Sequence, residues 1–293
     1  MTTDPDASAQ CLVQHGYARV GDVSLHYAES GSAPALVVLL HGFPECWFSW
    51  RHQLVALGEQ FHVVAPDLRG YNLSERPIGR AAYRLEALAR DILGLMEHFG
   101  SVRAAVVGHD WGAVLAWHLA LRHPARVSRV AALQVPPPTV WRRNFHWRQA
   151  ARSAYLLAFQ VPGVAERLLA ARDYALLRRM LRRSSPRGTF SAGDLGVYAS
   201  AWRRPGALTA GLSYYRANLS SLARPASDAR VRVPSLFLYG ERDPWILPAT
   251  VRGTAATIAA PYTEVRFPRA GHWLQLEEPG PVTAALREFL ATS

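Results

Sequence analysis

Ala104-Ala105-Val106-Val107-Gly108-His109-Asp110-Trp111-Gly112-Ala113-Val114-Leu115-Ala116-Trp117-His118-Leu119-Ala120 decides the fold. Residues 104–107 are small and β-branched apolar residues in a short run, the pattern of a parallel strand buried on both faces. From Ala113 the chain is rich in helix formers until His123-Pro124 ends the pattern. Asp110 therefore falls on a sharp strand-to-helix turn, with a glycine two residues to either side to relieve crowding. The helix start adds backbone N–H donors and the positive end of a dipole. Serine is the usual occupant of such a nucleophile elbow, and an aspartate changes the chemistry. A carboxylate attacking a carbonyl gives a labile anhydride, whereas one attacking a saturated carbon gives an ester that water can hydrolyse at its own carbonyl.

Working outward, strand-like runs alternate with helix-like ones. Residues 36–40, 62–65, 104–107, 130–133, 235–239 and 263–267 read as strands of a mostly parallel sheet, with amphipathic stretches such as 84–99 and 281–290 as crossovers. Tyr17–Val20 and Ser24–Tyr27 read as a hairpin leading into it. Between Pro136-Pro137-Pro138 and Val233-Pro234 the β signal disappears and Arg-rich helical patterns take over. The expected architecture is α/β, a central sheet flanked by helices over residues 1–135 and 233–293, with a helical cap inserted over 136–232.

Composition bounds the function. A chain of 293 residues with 49% hydrophobic content can bury one large core. No segment reaches the roughly 18 apolar residues of a membrane span, so no stable membrane insertion is expected. Met1-Thr2-Thr3-Asp4-Pro5-Asp6 lacks the basic and apolar regions of a signal peptide, which predicts a cytoplasmic protein. Cys11 and Cys46 are too few for a disulfide framework and lack metal-site spacing. The net charge of +11 is carried entirely by arginine, and residues 136–232 hold 17 Arg against the four acids Glu166, Asp173, Asp194 and Asp228. That excess reads either as a solvated helical surface or as a basic lid that attracts anionic substrates or a membrane surface. No aromatic-basic recognition motif or zinc module accompanies it, so nucleic-acid binding is not expected.

Three clusters follow strand-like runs, where a site on an α/β sheet belongs. In His41-Gly42-Phe43-Pro44 the Phe43 N–H, with that of Trp111, would form an oxyanion hole. Gly240-Glu241-Arg242-Asp243-Pro244 offers an acid, Asp243, with Glu241 as its rival. Ala270-Gly271-His272-Trp273 offers His272 as general base, its tautomer held by that acid. The order nucleophile, acid, histidine suits this fold. His109 is expected to point away from the site, and Asp67-Leu68-Arg69-Gly70-Tyr71 reads as a turn held by an Asp67–Arg69 pair.

With these motifs in combination, the chain resembles the α/β-hydrolase fold epoxide hydrolases over most of its length. The resemblance implies that an epoxide and water give a vicinal diol through a hydroxyalkyl ester on Asp110. It also implies two cap tyrosines that protonate the departing ring oxygen. Ser153 to Glu166 resembles the segment bearing the first, Tyr155; Ser213-Tyr214-Tyr215-Arg216-Ala217-Asn218 resembles the second, with Tyr215 chosen by register and Tyr214 as the alternative. Leu156 replaces a polar residue sometimes found there. The implied partners are a small apolar epoxide and water, with no metal or organic cofactor, and a homodimer is left open. A haloalkane dehalogenase would use the same aspartate, but such enzymes commonly carry Asn where Phe43 stands. A fluoroacetate-type dehalogenase usually has Arg in place of Trp111. A catalytically silent binding protein would have no need of the full triad. Trp141, Trp147, Phe159, Trp202 and Trp273 are expected in an apolar pocket or a cap interface.

Overall fold

The apolar runs become strands with both faces covered. In the computed structural model, which describes residues 13–222 and 229–292, the strands are β1 (Gln14–Val20), β2 (Val23–Ser30), β3 (Leu36–Leu40), β4 (His62–Pro66), β5 (Ala104–His109), β6 (Val127–Leu133), β7 (Ser235–Gly240) and β8 (Tyr262–Phe267). The polar start of the chain, Cys11 and Asp228 lie outside the described residues. The strands form one sheet in the order β1-β2-β4-β3-β5-β6-β7-β8. Strand β2 runs antiparallel to β1 and β4, and the remaining pairs are parallel.

Side chains alternate across the sheet as strand geometry requires. Val38, Leu40, Val64, Val106 and Ala132 pack with α2 (Leu85–His98) and α3 (Trp111–Arg122) on one face. Val37, Leu39, Val63, Ala65, Val107 and Leu133 pack with α1 (Arg51–Gly58) and α10 (Pro279–Ala291) on the other. Burial on both sides explains why these strands read as unbroken apolar runs. Strand β6 begins at Val127, three residues before its apolar run, because Val127 and half-buried Arg129 pair with Ala104 and Ala105, with Ser128 left over at a shift of register.

The site's position follows from the strand order. The chain leaves β3 for β4 on one side and comes back to β5 on the other, so the carboxyl ends of β3 and β5 adjoin at the reversal of strand order. The ends of β7 and of the loop after β8 lie along the same rim.

Between β6 and β7 the described chain is helical: α4 (Pro138–Arg143), α5 (Trp147–Arg152), α6 (Tyr155–Phe159), α7 (Val164–Arg183), α8 (Ala192–Trp202) and α9 (Ala207–Leu222). Helix α7 is broken where Ala171 is extended and Arg172, Asp173 and Tyr174 take positive φ. Polar bonds fasten this insertion to the core. Trp202 Nε1 donates to the Pro44 carbonyl at 2.7 Å, and Asn218 Nδ2 donates to that of Tyr83 at 2.8 Å. Gln149 donates to the Trp245 carbonyl at 2.7 Å and accepts from the Leu247 N–H at 3.0 Å. Among the described residues no helix is long and apolar enough to cross a membrane.

Candidate active site

Asp110 sits between β5 and α3 at φ 51° and ψ −116°, a conformation costly for a residue with a side chain. The turn closes because Gly112 lies against β3; a Cβ there would run into the Leu40 carbonyl. Gly42 is equally constrained, since its Cβ would collide with the Asp110 side chain. With that space clear, the Phe43 N–H donates to Asp110 Oδ1 at 2.9 Å. The N–H of Trp111 opens α3 next to it.

The other carboxylate oxygen, Oδ2, faces His272 Nε2 at 3.8 Å. On the far side of the ring, His272 Nδ1 donates to Asp243 Oδ2 at 2.8 Å. Asp243 Oδ1 accepts the N–H groups of Trp245 (2.6 Å) and Ile246 (3.0 Å), so both of its oxygens are engaged. Burial alone would lower the His272 pKa, but Asp243, through charge and hydrogen bond, and then Asp110 override it and raise it to about 9. Glu241 turns outward to Arg266 at 3.5 Å.

Several supporting residues escaped the sequence reading. Buried Glu45 accepts the Gly42 N–H at 3.1 Å and lies 2.8 Å from His109 Nδ1, and His109 Nε2 lies 2.9 Å from the His272 carbonyl. Burial would raise the Glu45 carboxyl, but His109 and the Gly42 N–H hold it low. His109 thus faces away from the Asp110 carboxylate and ties the β3 loop to the histidine loop. Gln134 accepts the Gly240 N–H at 3.1 Å and donates to the Gly271 carbonyl, linking the acid and histidine loops. Glu277 accepts the N–H groups of Gly271 and Trp273. The expected Asp67–Arg69 pair is not formed. Asp67 bonds His26 at 2.7 Å and the Trp47 N–H at 3.0 Å, whereas Arg69 makes a two-pronged bond to Asp91 of α2 at 2.5 Å. Two residues apart in a turn, the two side chains project toward different elements, and buried Asp91 offers the fork-shaped partner a guanidinium prefers.

Tyr155 opens α6 and Tyr215 lies on α9, and both line the same cavities as Asp110. Tyr215 packs edge-on against Trp111, Phe159 and Phe43, with ring centres 5.0, 5.2 and 5.6 Å apart. Tyr155 packs against Phe159 and Trp245 at 5.2 and 5.3 Å. Burial, then the negative charge of Asp110, pushes both phenols above their ordinary range. Tyr214 turns the other way, donating its hydroxyl to the Arg69 carbonyl at 2.9 Å.

Arg216, the residue after Tyr215, joins the two tyrosine-bearing helices. It donates to the Phe159 carbonyl at 2.7 Å and pairs with Glu166 at 2.6 Å. Replacing it by methionine takes the ion pair from Glu166, which keeps only the Gly163 N–H, and leaves that carbonyl without its guanidinium donor, at a cost of about 2–3 kcal/mol. The expected result is a melting temperature lower by about 3–5 °C, read by calorimetry; an unchanged melting curve would refute the role.

Two cavities meet at Asp110. The larger, 1090 Å³, runs toward Trp141, Phe145 and Leu219. The smaller, 450 Å³, runs past His272 and Trp273 toward α7. Phe159 and Trp273 line the smaller one, Trp141 the larger; Trp202 binds the core and Trp147 is exposed. Among the described residues no three His, Cys, Asp or Glu side chains converge as metal ligands do.

A carboxylate held on one oxygen by a backbone donor, faced on the other by an acid-oriented imidazole, and strained on a strand-to-helix elbow defines a covalent hydrolase site. The chain matches the alpha/beta hydrolase fold family over residues 35–279. It is 40% identical to epoxide hydrolase A of Mycobacterium tuberculosis, across 92% of this chain and 94% of that one. Human epoxide hydrolase 4 is 32% identical across 98% of this chain and 80% of its own length. Among solved structures, an inhibitor complex of Bacillus megaterium epoxide hydrolase superposes with a TM-score of 0.87 at 30% identity, covering 94% of this chain and all of that one. The chain belongs to the α/β-hydrolase fold family, within its epoxide hydrolases.

Proposed function

We propose that the protein converts an apolar epoxide and water to a vicinal diol through a hydroxyalkyl ester on Asp110, with residues 136–232 as its lid. One arrangement carries the reading: two tyrosines border the cavity of an aspartate whose oxygens have different partners. Oδ1 is held by the Phe43 N–H, which leaves Oδ2 to attack the epoxide carbon. As that bond forms, the carbon–oxygen bond of the ring breaks, its electron pair goes to the ring oxygen, and Tyr155 and Tyr215 share a proton with it. The aliphatic alkoxide is more basic than a phenolate. The charge that raised the phenols also leaves Asp110 in this step, so transfer runs downhill.

In the second step water attacks the ester carbon Cγ and gives a proton to His272 Nε2. The oxyanion forms at Oδ1, facing the N–H groups of Phe43 and Trp111. Collapse breaks the Cγ–Oδ2 bond, and Oδ2 departs with the diol after taking the proton from His272. The proton left on the regenerated carboxyl restores the tyrosine. Asp243 holds the imidazole in the tautomer this requires.

The test is one turnover of styrene oxide by excess enzyme in heavy-oxygen water. Label is expected in the peptide bearing Asp110 and not in the diol. Label in the diol alone would exclude the ester. Halide release from haloalkanes faster than diol formation would assign the site to dehalogenation, and binding of epoxides without turnover would make it a silent receptor.

A further inference from the structure

One stretch of the cap carries exposed apolar surface that neither the fold nor the two-step reaction uses. Among the described residues eleven large apolar side chains stand exposed, and six of them fall within residues 145–168: Phe145, Trp147, Leu157, Val161, Val164 and Leu168. Leu157 and Val161 lie one turn apart at the end of α6, and Val164 and Leu168 one turn apart at the start of α7; neighbours so spaced share a helix face. Arg216 holds the two turns together, donating to the Val161 carbonyl as well as to Phe159 and Glu166. The other exposed positions from Trp147 to Val161 are alanines and two arginines, Arg148 and Arg152. Basic charge rims this surface. Arg167 and Arg172 are exposed as well, and Arg148 lies over the Trp147 ring at 5.1 Å. Glu166 is the only acid from Phe145 to Arg172, and Arg216 holds it at 2.6 Å. A solvated surface accounts for the arginines, but not for a bare indole and four aliphatic side chains among them. The same face borders the way to Asp110. Phe145 is 47% exposed and also lines the 1090 Å³ cavity, and in α6 Tyr155 and Leu156 line that cavity while Leu157 is exposed.

We propose that this face of the cap docks on an anionic phospholipid bilayer, and that the larger cavity draws its apolar epoxide from the lipid. Trp147 and the aliphatic side chains enter the boundary between headgroups and acyl chains, and the four arginines meet the lipid phosphates. The contact is peripheral, since among the described residues no helix is long and apolar enough to cross a membrane. A second copy of this chain fits the face less well. A two-fold contact would set the same arginines against one another, with Glu166, the one acid of the stretch, already engaged. Docking is independent of the chemistry at Asp110; the delivery of substrate rests on the epoxide reading.

The test is flotation of the full chain with vesicles of phosphatidylcholine, alone or mixed equally with phosphatidylglycerol. The native protein is expected to bind the mixed vesicles at least about tenfold more tightly than the neutral ones, with the gap narrowing at high ionic strength. Trp147→Ser with Leu157→Ser is expected to weaken that binding at least about tenfold and to leave the turnover of styrene oxide in water unchanged. Arg148→Gln with Arg167→Gln is expected to weaken it too and to flatten its salt dependence. Ile78→Ser with Val102→Ser removes exposed apolar surface from the core and is expected to keep the binding. Turnover of 1,2-epoxyhexadecane dissolved in the mixed vesicles is expected to fall with the binding in the serine pair. Equal or absent binding to the two kinds of vesicle would overturn the docking. Should the serine pair leave vesicle binding intact but turn a sedimenting dimer into a monomer, the face belongs to a second copy and the proposal fails. Native binding with vesicle-borne turnover untouched by the serine pair would overturn the delivery of substrate. Docking without turnover of either epoxide would overturn the epoxide reading and leave the docking standing.

Discussion

Replacing His272 by alanine is expected to leave a protein that is alkylated once and then stops. In the proposed mechanism ring opening uses Asp110 and the two tyrosines, and only the water step needs the imidazole. Loss of a positioned general base slows its step by up to about 10⁴-fold. Intact-protein mass spectrometry is then expected to show one epoxide mass added to nearly every molecule. Turnover at the native rate, or no adduct at all, would refute the assignment. The native protein adds a pH signature. With Asp110 charged, His272 has a raised pKa of about 9, so it is protonated at neutral pH and unable to act as a base. Esterification removes the Asp110 charge, one of the influences raising that pKa, so the imidazole becomes a better proton donor and is freed for the water step. Breakdown of the accumulated ester, followed by stopped flow, is expected to rise with pH through a midpoint below 9 and level off above it. Asp243→Asn removes the largest raising influence and is expected to move the midpoint lower still.

The second large effect is expected from Tyr155→Phe combined with Tyr215→Phe. Without either phenol the ring oxygen must leave as an unprotonated alkoxide, and alkylation is expected to slow by about 10³–10⁴-fold. Each single variant keeps one donor and is expected to lose less than the double. The measurement is the rate of adduct formation in single-turnover mixing, which separates ring opening from the water step. Alkylation within threefold of native would refute the role. A haloalkane supplies the contrast: halide leaves without a proton, so a site built for halides would tolerate the double variant.

The sheet was legible because its strands are buried on both faces and leave continuous apolar runs, as at 36–40 and 104–107. Asp110, Asp243 and His272 were legible as motifs because each follows a strand closely and the turns demand small neighbours. Glu45, Gln134, Gln149 and Arg216 were not. They are polar residues whose partners lie far along the chain, such as Gly271 for Gln134 and Trp245 for Gln149, and no local pattern marks such a pairing. Asp67 and Arg69 misled for the same reason: proximity in sequence suggested a bond, and tertiary packing sent each to a different element. Tyr215 was preferred to Tyr214 only by its register in the resembling segment, since neighbours on a helix differ by about 100° in direction and packing decides which faces inward. In the structure Tyr214 reaches the Arg69 carbonyl and Tyr215 the cavity.

The two cavities flanking Asp110 differ more than twofold in size, at 1090 and 450 Å³. For an epoxide with unequal arms, that asymmetry acts as a gauge. The bulkier arm has one comfortable side, so the two mirror-image forms must present opposite ring carbons to the same carboxylate. Attack at one carbon in one form and at the other carbon in its mirror image leads both to the same diol. Handedness of the product would thus be set by the shape of the hollow on either side of the aspartate, and a racemic mixture could be drawn into a single stereoisomer.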